Sequence, residues 1–582
     1  MKNFIKNVLA NIVAIGIVGV IIFFVFIFML VFSAMSNNSS VKLKKNSVLT
    51  LDFKTSIIDS PGEDVEDFFA INSEDQKVIL FDALKAIEMA KKDDNIKGIS
   101  IEVDNFNAGI TQIDNIRFAL EDFKKSGKFV TTYGNVVSQS SYYLGSVADE
   151  YYLHPAGGID LRGLASEVTF LKDFAEKFGI GIEVIRHGKY KSAVEPYLRN
   201  DLSEENREQL SVMLNDIWTN ISQKISISRK VPLSEFNQVT DSLYGMIPNQ
   251  ALKYKLVDKL SQKSEYDDIL RGKMKLNSDH KLNKISIADY MTTIDETEAG
   301  EKIGILYASG GIYSGEGYGE IYSKNMIKDI KKMANDKKIK AVVLRVNSPG
   351  GSANASDEIL FELEELKKKK PLVVSFGDYA ASGGYYIAMA GEHVFSEANT
   401  LTGSIGVFGV VPYFKEIANK NGIVAEGVKT NENANAYSTF NGLTPGYVSM
   451  LTKSVEQTYN RFVGFVTKNR KMSFEEIDAV GGGRVWTGKS AKQIGLVDDL
   501  GTLSDAVLYA SKRAKIKEYE IVSYPKKVTI MEQLFKDINE EKLSTKFIKA
   551  KLGETNYKLF EVLNNSNAKE NIRLDSYYKV TL

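Results

Sequence analysis

A serine that attacks a carbonyl needs a fixed position, a group to take its proton, and donors for the oxyanion. One stretch supplies the position. Pro371 to Gly409 reads PLVVSFGDYAASGGYYIAMAGEHVFSEANTLTGSIGVFG. Leu372 to Phe376 is an apolar run that reads as a buried strand. Asp378 to Gly384 follows, rich in small residues that let backbones approach closely. Tyr385 to Ala390 then suits a helix. Ser382 thus stands where a strand gives way to a helix. Free N–H groups and the positive end of the helix dipole favour a developing oxyanion there. The same residues would equally make a plain helix cap and turn. Further upstream, Asn347-Ser-Pro-Gly-Gly-Ser352 follows the predicted strand Ala341–Val346. Its paired glycines can present backbone N–H groups to an anion.

The base is less obvious. The chain has four histidines, His154, His187, His280 and His393. His393 lies beyond the apolar helix segment and reads as a structural residue of the next strand. The four do not cluster, so no zinc site is expected. A sharper candidate is Lys191, in Arg186-His-Gly-Lys-Tyr-Lys-Ser-Ala-Val-Glu-Pro196. A lysine bounded by Gly, Pro and small apolar residues can lose water, which lowers its pKa towards that of a useful base. Alone, it reads first as a surface lysine.

The elements around these residues come in two sets. Lys97–Val103 resembles Lys340–Val346, Tyr142-Tyr143 matches Tyr385-Tyr386, and Gly179-Ile180 matches Gly422-Ile423, each at an offset of 243. Leu256-Val-Asp258 matches Leu496-Val-Asp498 at an offset of 240. Val48–Phe53, Ile99–Val103 and Phe129–Tyr133 read as strands, and Val78–Lys92 and Ile113–Phe123 as helices. Such alternation predicts a mostly parallel sheet covered on both faces. Two tandem α/β modules result. Their chemistry is complementary: Ser382 maps to Gln139, the glycine pair to Asn107-Ala108 within Asp104–Gly109, and Lys191 to Ala434. Each copy keeps one half of a Ser–Lys pair.

Ahead of the modules, Val8 to Phe32 is almost wholly apolar, with Asn11 its strongest interruption. At about 1.5 Å per residue it is long enough to span a bilayer. Lys2 and Lys6 precede it, and Ser33-Ala-Met35 is a poor cleavage site. An uncleaved anchor is expected, with the short amino end in the cytoplasm and the bulk outside. Lys+Arg equals Asp+Glu at 74 each, so no net field points to nucleic acid. The absence of cysteine excludes disulfides and thiolate chemistry. The expected organisation is anchor and linker 1–46, first module 47–297, second module 298–515, and an extension 516–582 without a readable motif.

With these residues in place, a resemblance becomes specific. Tyr190-Lys-Ser-Ala-Val-Glu-Pro196, Ser348-Pro-Gly-Gly351, Ala381-Ser-Gly-Gly-Tyr385, Leu401-Thr-Gly-Ser-Ile-Gly406 and Arg484-Val-Trp-Thr-Gly488 resemble the signal peptide peptidase A family (peptidase family S49, long duplicated form). The resemblance runs from the anchor to about Lys515. It implies a crotonase/Clp-like fold and a serine protease. Ser382 would be the nucleophile, Lys191 the general base, Ser404 a hydrogen-bonding partner of the lysine, and Gly351 and Gly383 the oxyanion donors. No cofactor or metal is implied. Remnant signal peptides at the extracytoplasmic face of the inner membrane are the implied substrates, and a homotetramer the implied assembly. Two other classes share the fold or lack the chemistry: acyl-CoA hydratases and isomerases, which place Glu or Asp at the reacting carbon, and a catalytically inactive membrane scaffold.

Overall fold

The computed structural model describes residues 42–526 apart from 53–54, 62–75, 278–279 and 295–299, together with 573–574 and the isolated positions 16, 18, 19 and 22. Most of the expected span Val8–Phe32 and of the carboxy-terminal extension lies outside the described residues, as does the expected boundary between the modules. Among the described residues, no helix is long and apolar enough to cross a membrane.

Each module is a parallel sheet with helices packed on it. The first sheet runs Lys259–Leu260, Glu150–Asp160, Phe129–Ser138, Ile96–Glu102, Ser47–Asp52 and Asn283–Ser286 in spatial order, every pair parallel. The second runs Val485–Thr487, Leu401–Gly403, Leu372–Ala381, Ile339–Ser348, Lys302–Ser309 and Glu520–Tyr524. Only the Val485–Thr487 pairing in that path is antiparallel. The edge strand Glu520–Tyr524 lies past residue 515, where the family resemblance ends. Central strands such as Ala341–Val346 are buried on both faces, which is why they read as continuous apolar runs rather than alternating ones.

The duplication is visible element by element. Helices Leu80–Lys92 and Ser323–Asn335 both have 13 residues, and Ile110–Lys124 and Ala353–Lys367 both have 15, each pair 243 apart (323 − 80, 353 − 110). The long helices Glu204–Arg229 and Pro445–Arg470 both have 26 residues.

One strand departs from its own module. Gly181–His187 pairs antiparallel with Val407–Tyr413 of the second module, in the register His187 to Val407 through Gly181 to Tyr413. The chain leaving His187 is thereby delivered beside the strand Leu372–Ala381.

Candidate active site

Ser382 ends the strand Leu372–Ala381 and caps the helix Gly383–Ala388. The strand is longer than its apolar core suggests, because Asp378–Ala381 continue it beside Leu401–Gly403. Ser382 sits at φ 54° and ψ −115°, a backbone conformation that costs a non-glycine residue free energy. Its N–H donates to Gly403 O at 2.9 Å, and its carbonyl accepts from Tyr386 N–H at 2.8 Å. The side chain is thus held at a sharp strand-to-helix turn.

Lys191 arrives from the other module. After the strand Gly181–His187 the chain turns at Gly188, φ 95°, and Lys191 opens a short turn, Ser192–Val194. Lys191 is 1% exposed. Its Nζ donates to Ser382 Oγ at 2.8 Å, Ser404 Oγ at 3.0 Å and Ser404 O at 3.2 Å. Ser382 and Ser404 are themselves buried. The expected serine, lysine and second serine therefore meet across the module boundary, and the reading of Lys191 as a surface residue does not hold.

The loop carrying Lys191 is anchored by its own polar residues. Buried Glu195 accepts from Ser203 Oγ and, at 2.9 Å, from Asn206 Nδ2, which ties the loop to the start of the helix Glu204–Arg229. Gln209 on that helix donates to Ser192 Oγ at 3.1 Å and accepts Val485 N–H of the second module at 3.2 Å. Arg484 donates to Tyr190 Oη at 3.2 Å and to Glu208 at 2.9 Å, while its carbonyl accepts Ser404 N–H at 2.7 Å.

Glycines make room for these approaches. A Cβ on Gly383 would lie 3.1 Å from Gly351 N, so the two candidate oxyanion residues abut. A Cβ on Gly351 would lie 2.1 Å from Ile312 O. Gly483 was not singled out in the sequence. A Cβ there would lie 2.5 Å from Lys191 N and 2.6 Å from its Cα. The only sequence sign of its role is the run Gly481-Gly-Gly483 ahead of Arg484.

The histidines stand elsewhere. His393 pairs with Asp499 at 3.0 Å, and His187 stacks on Tyr459 with ring centroids 3.9 Å apart. Among the described residues, no group of three or more His, Cys, Asp or Glu could hold a metal.

A third sheet includes Gly351. Gly351–Ser352 pairs with Ile312–Tyr313 on one side. On the other it pairs antiparallel with Arg573–Leu574, whose far edge meets Phe408.

Comparison with known proteins decides the family. The sequence profile of peptidase family S49 matches residues 122–277 and 364–517, one segment in each module. That of Clp protease matches 295–402. The chain is 34% identical over 553 residues to Protease 4 of Salmonella typhi, covering 91% of this chain and 88% of that protein. The chain belongs to peptidase family S49. It is a serine protease of the long, duplicated kind, on a Clp-like α/β fold. It is also 32% identical over 454 residues to the chloroplastic serine protease SPPA of Arabidopsis thaliana, covering 76% of this chain and 66% of that protein. Over 244 residues it is 30% identical to a putative signal peptide peptidase SppA of Enterococcus faecium, covering 41% of this chain and 71% of that protein.

Proposed function

We propose that this S49 serine protease works through a Ser382–Lys191 dyad that neither module contains alone, and that it degrades signal peptides left in the membrane. The observation that carries the dyad is the 2.8 Å contact between Lys191 Nζ and Ser382 Oγ at a strained, buried serine. Taking an ammonium out of water disfavours its charged form. Neutral Lys191 accepts the Ser382 proton, and Ser382 Oγ attacks the scissile carbonyl. Gly351 and Gly383 N–H groups stabilise the oxyanion, a donor of this kind being typically worth about 3 kcal/mol. The protonated lysine then gives its proton to the leaving amine. Water, activated by the same lysine, hydrolyses the acyl-enzyme. Ser404 orients the lysine through its hydroxyl and carbonyl.

The substrate binds as an extended strand. Gly351–Ser352 already accepts such a neighbour in Arg573–Leu574, which supports main-chain pairing along that edge. The apolar run Val8–Phe32 anchors the enzyme with its catalytic modules outside the cytoplasm, where cleaved signal peptides remain in the bilayer. A fluorophosphonate probe tests the dyad. It should label wild type at Ser382 and fail on Lys191→Met. Labelling elsewhere, or on Ser382→Ala, removes the proposal.

The assembly follows from the duplication. Gly181–His187 and Val407–Tyr413 pair within the chain. Their counterparts at the 243 offset are 424–430 and 164–170, and neither belongs to a strand. Val424 is 79% exposed and Val428 fully so at 105%. Pairing 424–430 of one copy with 164–170 of the next repeats the observed junction head to tail and closes a ring, a homotetramer in the family reading. Ile185 faces Gly409 in the observed register, so Val428 should face Ser166 of the neighbour. A Val428→Cys/Ser166→Cys chain has no other cysteine. Oxidised, it should form a covalent ladder ending at four chains. No crosslink would exclude this interface.

A further inference from the structure

On or just before each of the three strands that build the candidate site stands a charged residue gripped by the first module. Arg345 lies on Ile339–Ser348, the strand leading to Gly351. It donates Nε–H to Asp59 of the first module at 3.1 Å, and Nη1 to Ser375 Oγ at 3.0 Å and to Phe376 O. Asp378 lies on Leu372–Ala381, four residues before Ser382. Its Oδ1 accepts Thr111 N–H at 2.8 Å, in the first turn of the first-module helix Ile110–Lys124. A Cβ on Gly109 would collide with that carboxylate at 1.7 Å. Glu397 precedes Leu401–Gly403, the strand leading to Ser404. It accepts from Asn115 Nδ2 of the same helix at 2.6 Å and lies 3.6 Å from Arg345 Nη1.

The three ties are linked to one another. Glu397 N–H donates to Thr400 Oγ1 at 3.2 Å, and Thr400 Oγ1 donates to Gly377 O at 2.8 Å. Thr402 Oγ1 donates to Ala380 O at 2.7 Å. Asn399 Nδ2 donates to first-module Asp114 at 2.7 Å, a carboxylate that also pairs with Lys224 and Tyr143. Asp59, Arg345 and Glu397 are buried, and Asp378 is half-buried. Buried ion pairs of this kind rarely stabilise a fold better than apolar residues of the same volume. What they supply is a unique docking geometry.

We propose that Arg345, Asp378 and Glu397, with Asp59, Thr111 and Asn115 facing them, form an inter-module clamp of positioning residues that sets the Ser382–Lys191 distance. The clamp is needed because the two halves of the dyad are carried by different modules. A small rigid-body shift between the modules lengthens the Lys191–Ser382 contact without disturbing either core. Burial pushes the carboxyls of Asp378 and Glu397 upward, against the opposing pull of the Thr111 N–H on the first and of Arg345 and Asn115 on the second.

The inference rests on the dyad reading, and the experiment separates the two. If the dyad reading fails, wild type itself is not labelled at Ser382 by the fluorophosphonate probe. If wild type is labelled, Asp378→Ala and Asn115→Ala should each lower kcat about tenfold or more, with KM within about threefold. Labelling of Ser382 should slow by the same factor. The rising limb of the pH–rate profile should move to higher pH as water reaches Lys191. Asp378→Asn keeps an oxygen for Thr111 N–H and should recover most of the loss. Ile217→Val, in the first-module core, serves as a control for general loosening. It should lower the melting temperature and leave kcat and the pH limb in place. The clamp is overturned if folded Asp378→Ala keeps kcat within about twofold of wild type with an unmoved pH limb, or if Ile217→Val shows the same losses. Should Asp378→Ala not fold, Asn115→Ala, which removes the Glu397 tie together with the Asn115 bond to Thr111 O, decides on the same readouts.

Discussion

The two modules share a scaffold and differ where a strand meets a helix. In the first, Tyr142 Oη donates to Leu256 O at 2.9 Å, and in the second Tyr385 Oη donates to Leu496 O at 2.6 Å. Arg229 pairs with Asp258 at 2.8 Å, and Arg470 with Asp498 at 2.6 Å. These ties hold corresponding elements together in both copies. At the turn the copies diverge. Ser382 caps its helix at φ 54°, while the first-module cap, Ser138, sits relaxed at φ −68°. Gln139, at the place of Ser382, turns its amide onto the backbone of Arg162 and Gly163. Its Oε1 accepts the N–H groups of Arg162 and Gly163, and its Nε2 donates to Gly163 O, all at 2.9 Å. Strain at the turn is therefore not required by the fold. It is present in the copy that carries Ser382 and absent from the copy that carries Gln139.

The largest test of this contrast is at the dyad. Ser382→Ala, Lys191→Met and Lys191→Arg should each cut kcat/KM by about a thousandfold or more, because the acyl-enzyme cannot form without its nucleophile or a base that deprotonates. Gln139→Ala and Ser140→Ala should stay within a few-fold in the same peptide assay. In wild type kcat/KM should rise with pH, since only the neutral lysine accepts a proton. Substantial turnover by a folded Lys191→Arg chain would end the cross-module reading.

A smaller effect is expected at Gly483. Its φ is 86°, and at the 240 offset the first copy carries Leu243 with φ 54° (483 − 240). A left-handed backbone is thus tolerated with a side chain in one copy. Glycine at 483 is demanded instead by the Lys191 backbone lying against it. Gly483→Ala should push the base away and lower kcat by about ten- to a hundredfold, with little change in KM. Leu243→Gly should leave both constants near wild type. Equal losses from the two substitutions would assign Gly483 to general stability.

The smallest expected effect is thermodynamic and sits at Asp378, whose first-copy counterpart is Asn135 (378 − 243), neutral at every pH. Burial pushes the Asp378 carboxyl up to about 6, against the opposing pull of the Thr111 N–H. A raised acid binds its proton more tightly folded than unfolded. Stability from this group is therefore fullest below its unfolded pKa near 3.9 and is lost as pH rises through about 6. Wild type should lose up to about 3 kcal/mol through this group over that window, and Asp378→Asn should remove that slope. Urea midpoints measured from pH 4 to 7 report the difference. Parallel curves for the two chains would mean that Asp378 does not titrate there.

The sequence determined a great deal here because its signals are local or repeated. Apolar runs marked the strand cores Ala341–Val346 and Leu372–Phe376 and the helical segment after Ser382, though not the full length of either strand. The constant offset exposed the duplication, and small residues at Ser382–Gly384 marked the strand-to-helix turn. Complementary losses between the copies singled out Lys191 and Ser382. What remained hidden is whatever depends on residues far apart in the chain. The burial of Lys191 arises because Gly181–His187 leaves its own module to pair with Val407–Tyr413, and nothing local in that strand names its partner. Gly483 contacts a lysine almost three hundred positions earlier, so its need for a missing Cβ exists only after docking. Arg345, Asp378 and Glu397 read as ordinary charges until the modules close on them and remove their water. A sequence records which side chains are present. Which of them lose solvent, and against whom, was decided by the packing of one module on the other.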